Sequence, residues 1–183
     1  VTWVDGSELG AFAAAVRPGK TMLVLAESPA NPQLSIVDLD ELGAIRGPFT
    51  VVDSTFATPA LQQPLRHGVS LVVHSATKGI GGHTDATLGV VAGEKELIDD
   101  LWRYAVLHGA VASPYDAHNG LRGIRTLPVR VQRQSATALA AATNHCRLLE
   151  QCLQHRPRFA VLQDPQAARL LDDALRDAGV RTQ

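Results

Sequence analysis

The stretch FTVVDSTFATPALQQPLRHGVSLVVHSATKGIGG, residues 49–82, decides how this chain folds. Two apolar runs rich in Val and Leu, FTVVDST (49–55) and LVVHSAT (71–77), flank PALQQPLRH (59–67), a segment of helical character with Pro59 early and Gly68 just past its end. Proline suits a first helical turn and glycine the position after the last, so the punctuation reads strand, helix, strand. Neither run alternates polar with apolar residues, which is the pattern of parallel strands buried on both faces.

The same grammar extends outward. TMLVLAES (21–28) and TLGVVAG (87–93) read as further buried strands, and DLDELGAIR (38–46) as a helix whose first turn carries the acidic residues that a helix N-terminus favours. Strands separated by single helices predict an α/β fold with a mostly parallel sheet flanked by helices. From Glu94 the character becomes helical. EKELIDDLWRYAVLHG sets Leu97, Leu101 and Tyr104 at spacings of three and four, with Gly109 as a stop. After Ser113-Pro114 a long helical stretch is expected to about His155, which Pro128 must kink or break. Within it ATALAAAT (136–143) reads as a good helix former. RPRFAVLQDPQ (156–166) is expected to be a connector with a short strand, and AARLLDDALRDAG (167–179) a final helix capped by Gly179. Candidate boundaries therefore fall near residue 94 and over 156–166.

Composition narrows the function. Seventeen Lys+Arg against eighteen Asp+Glu give a net charge of -1, with 45% apolar residues. That balance excludes a disordered tail and offers no field to draw nucleic acid or an anionic membrane. The apolar runs fall far short of the roughly 20 residues that span a bilayer, and no secretory leader is visible. Cys146 and Cys152 lie six apart in a helical region, so they point in different directions and cannot pair. Reduced thiols and the lack of a leader point to a cytoplasmic protein.

The chemistry gathers at strand ends. Lys78 follows directly on the third strand, at the carboxyl edge where ligands collect in open α/β sheets. Partial desolvation there would lower its pKa and suit it to Schiff-base formation. Ser75 and Thr77, two apart, place both hydroxyls on one side of an extended chain, where they can donate to a phosphate. Gly79, Gly81 and Gly82 let backbone come close to a ligand, although their spacing does not fit the dinucleotide fingerprint. Asp53 ends the neighbouring strand, and strands about 4.8 Å apart can flank a small aromatic ring. A carboxylate on one side of a pyridine ring and a lysine on the other is what pyridoxal phosphate requires. Asn31, between Pro29-Ala30 and Pro32 at a third strand end, could offer its amide to the ring's phenolate oxygen. His74, His83 and Asp85 show no spacing that would gather them round a metal, and none is expected.

ESPANP (27–32), VVDSTFATPALQQPL (51–65) and LVVHSATKGIGGHTD (71–85) closely resemble the Cys/Met-metabolism family of pyridoxal-phosphate enzymes, as does GAVASPYDAHNGLRGIRTLPVRVQRQ at 109–134. The resemblance covers roughly residues 20–150. It implies a partial copy of the fold-type-I, aspartate-aminotransferase-like architecture, with residues 1–155 forming the C-terminal part of the cofactor-binding large domain. Residues 156–183 would be a connector and the start of a truncated or atypical C-terminal domain. It implies pyridoxal 5'-phosphate as cofactor, held by Lys78 as the Schiff-base lysine, which would also move protons between substrate carbons. Asp53 would pair with the pyridinium nitrogen, Ser75 and Thr77 would bind the phosphate, Asn31 would contact the phenolic oxygen, and Thr55 would lie against the ring.

The activity implied is γ-replacement or γ-elimination on homoserine-derived or sulfur amino acids, of the cystathionine γ-synthase and γ-lyase type. O-Acylhomoserine sulfhydrylase and methionine γ-lyase activities belong to the same family. A small amino-acid substrate and a homotetramer are the implied partners. Ser54 departs from the family's usual Asn, Gly79 from a common aromatic, and Asn119-Gly120 from a normally apolar helix. The family's substrate-carboxylate arginine, the glycine turn of the phosphate site, the cofactor-stacking tyrosine and the intersubunit arm are not recognisable. A fragment or decayed copy without turnover is the alternative, and a fold-type-I aminotransferase or decarboxylase shares the lysine and aspartate logic.

Overall fold

The structure is a computed structural model that describes residues 1–141, 145–155, 159–162 and 165–180. The chain divides into two compact units, Val1–Leu127 and Pro128–Gln183.

The first unit carries a four-stranded sheet in the order β1 (Leu23–Glu27), β2 (Phe49–Asp53), β3 (Leu71–Ser75), β4 (Gly89–Gly93). β1, β2 and β3 are mutually parallel, with Leu25 opposite Val51 and Val51 opposite Leu71. Their carboxyl ends therefore lie along one edge, as the alternation of strand and helix requires. Two helices precede β2: α1 (Ala11–Ala15) and α2 (Leu39–Ala44). Asp38 caps α2 by accepting from the N–H groups of Asp40 and Glu41 at 2.9 and 3.1 Å, a cap that stabilises by about 1 kcal/mol. Val24, Ala26, Val52, Val69, Val37 and Leu42 form the core between α2 and the sheet, with Phe12, Val16, Leu39 and Ile45 packed against it.

Between β2 and β3 the expected single helix is two short pieces, α3 (Thr58–Leu61) and a 3-10 turn (Pro64–His67). Pro64 has no N–H for a continuing ladder, so the helix stops before it. Gly68 takes the left-handed conformation, φ 86°, and ends the turn as its position implied. Gly43 of α2 lies so close to that turn that an added Cβ would sit 1.7 Å from the His67 carbonyl oxygen.

Two strand expectations need correction. β4 runs antiparallel to β3, with His74 opposite Val90. A parallel return needs a crossover, usually helical, and residues 76–88 turn back without forming a helix. Nor are β1 and β4 buried on both faces. They are the outer strands of the four, β1 alternates exposed and buried along its length, and no residue of β4 is buried.

α4 (Lys95–His108) ends at Gly109, φ 72°, whose N–H donates to the carbonyls of Ala105 and Val106. Its apolar stripe is not covered: α4 has no buried residue, and Leu101, Trp102, Tyr104 and Leu107 are exposed. α5 (Pro114–Ile124) opens as the sequence indicates, with Ser113 capping the Asp116 N–H at 3.0 Å and Pro114 in the first turn.

The second unit contains α6 (Leu127–Thr137, whose first residue belongs to the preceding unit), β5 (Ala138–Ala141), α7 (His145–His155), β6 (Phe159–Leu162) and α8 (Pro165–Asp177). Pro128 lies in the first turn of α6 and accounts for the break after α5. The alanine-rich run is not all helix. Ala138–Ala141 pairs in parallel with β6, Leu139 opposite Ala160, so ladder pairing overrides the helix propensity of alanine. Residues 142–143 of that run, and 156–158 and 163–164 of the expected connector, lie outside the described residues. Leu148 and Cys152 of α7 pack with Leu171 and Leu175 of α8, and Gly179 follows that helix at φ 70°. Cys152 is buried and Cys146 exposed, and the two do not pair with each other. Burial pushes the Cys152 thiol above its usual range. No helix among the described residues is long and apolar enough to cross a membrane.

Candidate active site

Glu27, Asp53 and Ser75 are the last residues of β1, β2 and β3, so the first unit brings three of its polar side chains to one sheet edge. Glu27 and Asp53 stand directly opposite each other, and Asp53 stands opposite Val73, two residues before Ser75. Side chains two apart share a face, so Asp53, Val73 and Ser75 line one side of the sheet, and Ser54 and His74 the other.

Hydrogen bonds fix this edge. The Thr55 N–H donates to Asp53 Oδ1 at 2.9 Å, which holds the carboxylate and leaves Oδ2 available. The Ser75 N–H donates to Thr55 Oγ1 at 2.7 Å, joining the β2 end to the β3 end and leaving the Thr55 hydroxyl proton to donate elsewhere. The chain then turns. The Lys78 N–H donates to the Ser75 carbonyl at 3.0 Å, Gly81 N–H to Ala76 at 2.7 Å, and Gly82 N–H to Lys78 at 2.8 Å. A Cβ on Gly81 would sit 2.8 Å from the Ala76 oxygen, so the tight turn requires glycine there.

The turn changes two expectations. Thr77 is no longer in extended chain, so alternation does not set its hydroxyl beside that of Ser75. Thr77 Oγ1 instead accepts from the Leu88 N–H at 3.1 Å and donates to the Leu88 carbonyl at 3.4 Å. Lys78 is exposed rather than partly desolvated, because the glycines that follow it bring no side chains to cover it. Asn31 is also exposed, in the turn after β1, and makes no hydrogen bond with the other candidate residues. The residues brought together are thus Asp53, Thr55 and Ser75, with Lys78 and Thr77 on the adjoining turn.

Sequence reasoning missed the layer behind this edge. Ser28 and Ser54 are fully buried, and Gln62 Nε2 donates to the Ser28 carbonyl at 2.7 Å and to Ser54 Oγ at 2.9 Å. Thr58 is held at φ 63°, unusual for a β-branched residue, by its N–H bond to the Ser54 carbonyl at 2.9 Å. A Cβ on Gly79 would meet Thr58 Cγ2 at 2.7 Å, so the absence of the family's aromatic at Gly79 goes with a close neighbour. His74 is 7% exposed and its Nδ1 is buried without a partner. Burial depresses its pKa, against the weaker opposing pulls of a backbone hydrogen bond with Ser54 and of the Asp53 carboxylate.

The turn is also braced from α5. Asn119, 2% exposed, donates from Nδ2 to the Asp85 carbonyl at 2.8 Å, Arg122 pairs with the Asp85 carboxylate, and the Thr87 N–H donates to Asp116 Oδ1 at 2.8 Å. Asn119-Gly120, a departure when read as sequence, is therefore the seam between helix and turn. Asp85 pairs with Arg122, and His83 Nδ1 lies 2.6 Å from the Gly81 carbonyl oxygen.

The donor set fits pyridoxal phosphate. A carboxylate with one oxygen held and the other available, hydroxyls on two strand ends and an accessible primary amine one turn away are the groups the cofactor needs. The family model described as "Cys/Met metabolism PLP-dependent enzyme" matches residues 1–147. The chain belongs to this family. Its cofactor is pyridoxal 5'-phosphate, and the match reaches further toward Val1 than the motifs alone indicate. Among curated relatives, cystathionine gamma-synthase of Mycobacterium tuberculosis is 46% identical over 142 residues, 74% of this chain and 36% of that protein. L-Methionine gamma-lyase of Pseudomonas putida is 41% identical over 162 residues, 86% of this chain and 40% of that protein. The apo crystal structure of a methionine gamma lyase from Micromonospora echinospora superposes with a TM-score of 0.68 at 36% identity, covering 81% of this chain and 41% of that one. This member of the family thus spans well under half the length of the relatives it matches, and its fold is the fold-type-I one, a mostly parallel sheet flanked by helices.

Proposed function

We propose that the protein is a pyridoxal-phosphate-dependent trans-sulfuration enzyme that carries out γ-replacement or γ-elimination on homoserine-derived or sulfur amino acids. The observation that carries the proposal is the bonded sequence Asp53, Thr55, Ser75 along one strand edge, one turn from the accessible amine of Lys78. Bound there, the cofactor supplies an electron sink for the charge left when a proton leaves the substrate's α-carbon. Asp53 holds a negative charge where the ring nitrogen must stay protonated. Ser75 donates its hydroxyl proton to the phosphate, and Thr77 joins it by exchanging its long bond to Leu88. Thr55 would lie against the ring, and Asn31 would offer its amide to the phenolic oxygen. Lys78 Nζ would hold the cofactor covalently and, once the substrate's amino group had taken its place there, would be the free amine that accepts the α-proton and returns a proton to a neighbouring carbon.

In this reading residues 1–155 belong to the cofactor-binding large domain and 156–183 begin the next. The protein is a cytoplasmic homotetramer acting on a small zwitterionic amino acid, for which the near-neutral net charge is suited.

The test supplies the full-length protein with cofactor and offers it an O-acylhomoserine with cysteine or sulfide, and separately methionine. A new thioether or homocysteine product, or ammonia with a 2-oxo acid, supports the proposal. A second reading, a chain that binds cofactor without turning anything over, is favoured by the exposure of Lys78. Bound cofactor with no product from any of these substrates would select it.

A further inference from the structure

The Gln62 side chain bonds two different strand ends at once, and it does so from the side of the sheet opposite Asp53. Its Nε2 spends both protons on the β1 and β2 ends, one on the Ser28 carbonyl at 2.7 Å and one on Ser54 Oγ at 2.9 Å. Ser28 and Ser54 are both fully buried, so these acceptors are shielded from water and have little else to bond.

Each of these serines is bound to a strand end in turn. The Ser28 N–H donates to the Asp53 carbonyl at 3.0 Å, and the Ser54 N–H to the Val73 carbonyl at 3.0 Å. Ser28 Oγ accepts from the Val37 N–H at 3.2 Å, which closes the loop that carries Asn31. Gln62 is itself fixed. Its N–H donates to the Thr58 carbonyl at 3.1 Å, and the Thr58 N–H to the Ser54 carbonyl at 2.9 Å, so the backbone from Ser54 to Gln62 forms a closed ring through the side-chain bond. Gln63, the next residue, shows the contrast: it is exposed, and its Nε2 bonds only the Pro59 carbonyl of its own turn, at 3.2 Å.

We infer that Gln62 is a positioning residue for the cofactor site: it staples the carboxyl ends of β1 and β2 together and so sets where Asp53 and the Asn31 loop stand relative to the ring. It touches neither cofactor nor substrate. The role rests on the proposed cofactor site, since it is the Asp53 carboxylate that Gln62 aims. Gln62→Met keeps length and volume and removes both donors, so the bonds go while packing stays.

The experiment uses the full-length protein loaded with cofactor labelled with 15N at the ring nitrogen. In Gln62→Met the cofactor should dissociate about tenfold more readily, the loss expected when one or two buried hydrogen bonds that hold a site are removed. The 15N signal should move toward that of the unprotonated ring, and the amides of Ser28 and Ser54 should exchange faster with deuterium. Gln63→Ala should leave all three unchanged, and Gln62→Lys, which keeps a donor, should recover most of the affinity and serves if Gln62→Met does not fold. Faster exchange with wild-type affinity and wild-type 15N signal would reduce Gln62 to a structural bond and overturn the inference. Unchanged exchange would overturn it as well. Failure of the cofactor site itself reads out separately, as a wild-type protein with no cofactor on Lys78.

Discussion

Alanine substitution at two glycines of α5, three residues apart, separates a helix that merely lies near the Lys78 turn from one that presses on it. A Cβ on Gly123 would sit 2.3 Å from the Gly81 carbonyl oxygen and 2.6 Å from that of Ile80. A Cβ on Gly120 would meet the Leu88 side chain, its methyls at 3.3 and 3.4 Å. Both changes gain the same helix propensity, about 1 kcal/mol. At Gly120 a leucine side chain can shift by a few tenths of an ångström, so most of that gain should survive. At Gly123 the obstructing atoms are backbone, held in the turn by the bond from Gly81 N–H to the Ala76 carbonyl at 2.7 Å. Overpacking of this kind costs about 1–3 kcal/mol, and a rigid neighbour puts the cost at the upper end. Gly123→Ala should therefore be less stable than Gly120→Ala by about 2 kcal/mol, a factor of about 30 in the folding equilibrium. Urea unfolding of the full-length variants reads this as a lower midpoint at unchanged slope. Because the displaced turn is the one after Lys78, Gly123→Ala should also bind cofactor more weakly. Equal midpoints for the two variants would refute the close seating of α5 on that turn.

Three further outcomes follow from named groups. Asn119→Leu removes the buried amide that donates to the Asp85 carbonyl and should destabilise by about 1–3 kcal/mol, measured in the same unfolding series. His74 resists protonation in the fold, so below its ordinary pKa of about 6.5 the unfolded chain takes up a proton that the folded one refuses, and stability should fall as pH drops from about 7.5 to 5.5. The fall, followed by melting temperature, should be shallower in His74→Leu. Asp53→Ala removes a charged partner of the ring and should weaken cofactor binding about 10–100-fold, read by titration of the cofactor's absorbance.

The parts of the fold that were legible from sequence are those fixed by local rules. Asp38, Ser113, Gly68, Gly109 and Gly179 sit at helix ends where capping chemistry puts them. The Val-rich runs became β1 to β3 because a continuous apolar run between turn signals suits few other structures. The direction of β4 was not legible, since an antiparallel return and a parallel one can share the same apolar run. The alanine run misled because Ala138–Ala141 takes its conformation from β6, a partner about twenty residues away, and not from its own propensity.

The site divides the same way. The placement of Asp53 and Ser75 at strand ends, with Lys78 just beyond, was legible because apolar runs announce where strands stop. The exposure of Lys78 and the bond of Thr77 to Leu88 were not, since both depend on how the glycine turn folds back. Gln62, Asn119 and Gly123 carry no chemistry of their own. Their meaning lies in the acceptors or carbonyls they meet, and for each of the three at least one of these belongs to a chain segment 34 or more residues away.

Borohydride reduction of the full-length protein with pyridoxal 5'-phosphate, followed by peptide mapping, tests the assignment of the site most directly. Reduction converts a lysine–cofactor bond into a permanent secondary amine, so the labelled residue is the one that held the cofactor. The account predicts the label on Lys78, and its loss in Lys78→Ala. Label on another lysine, or none in a folded protein with cofactor bound, would contradict it.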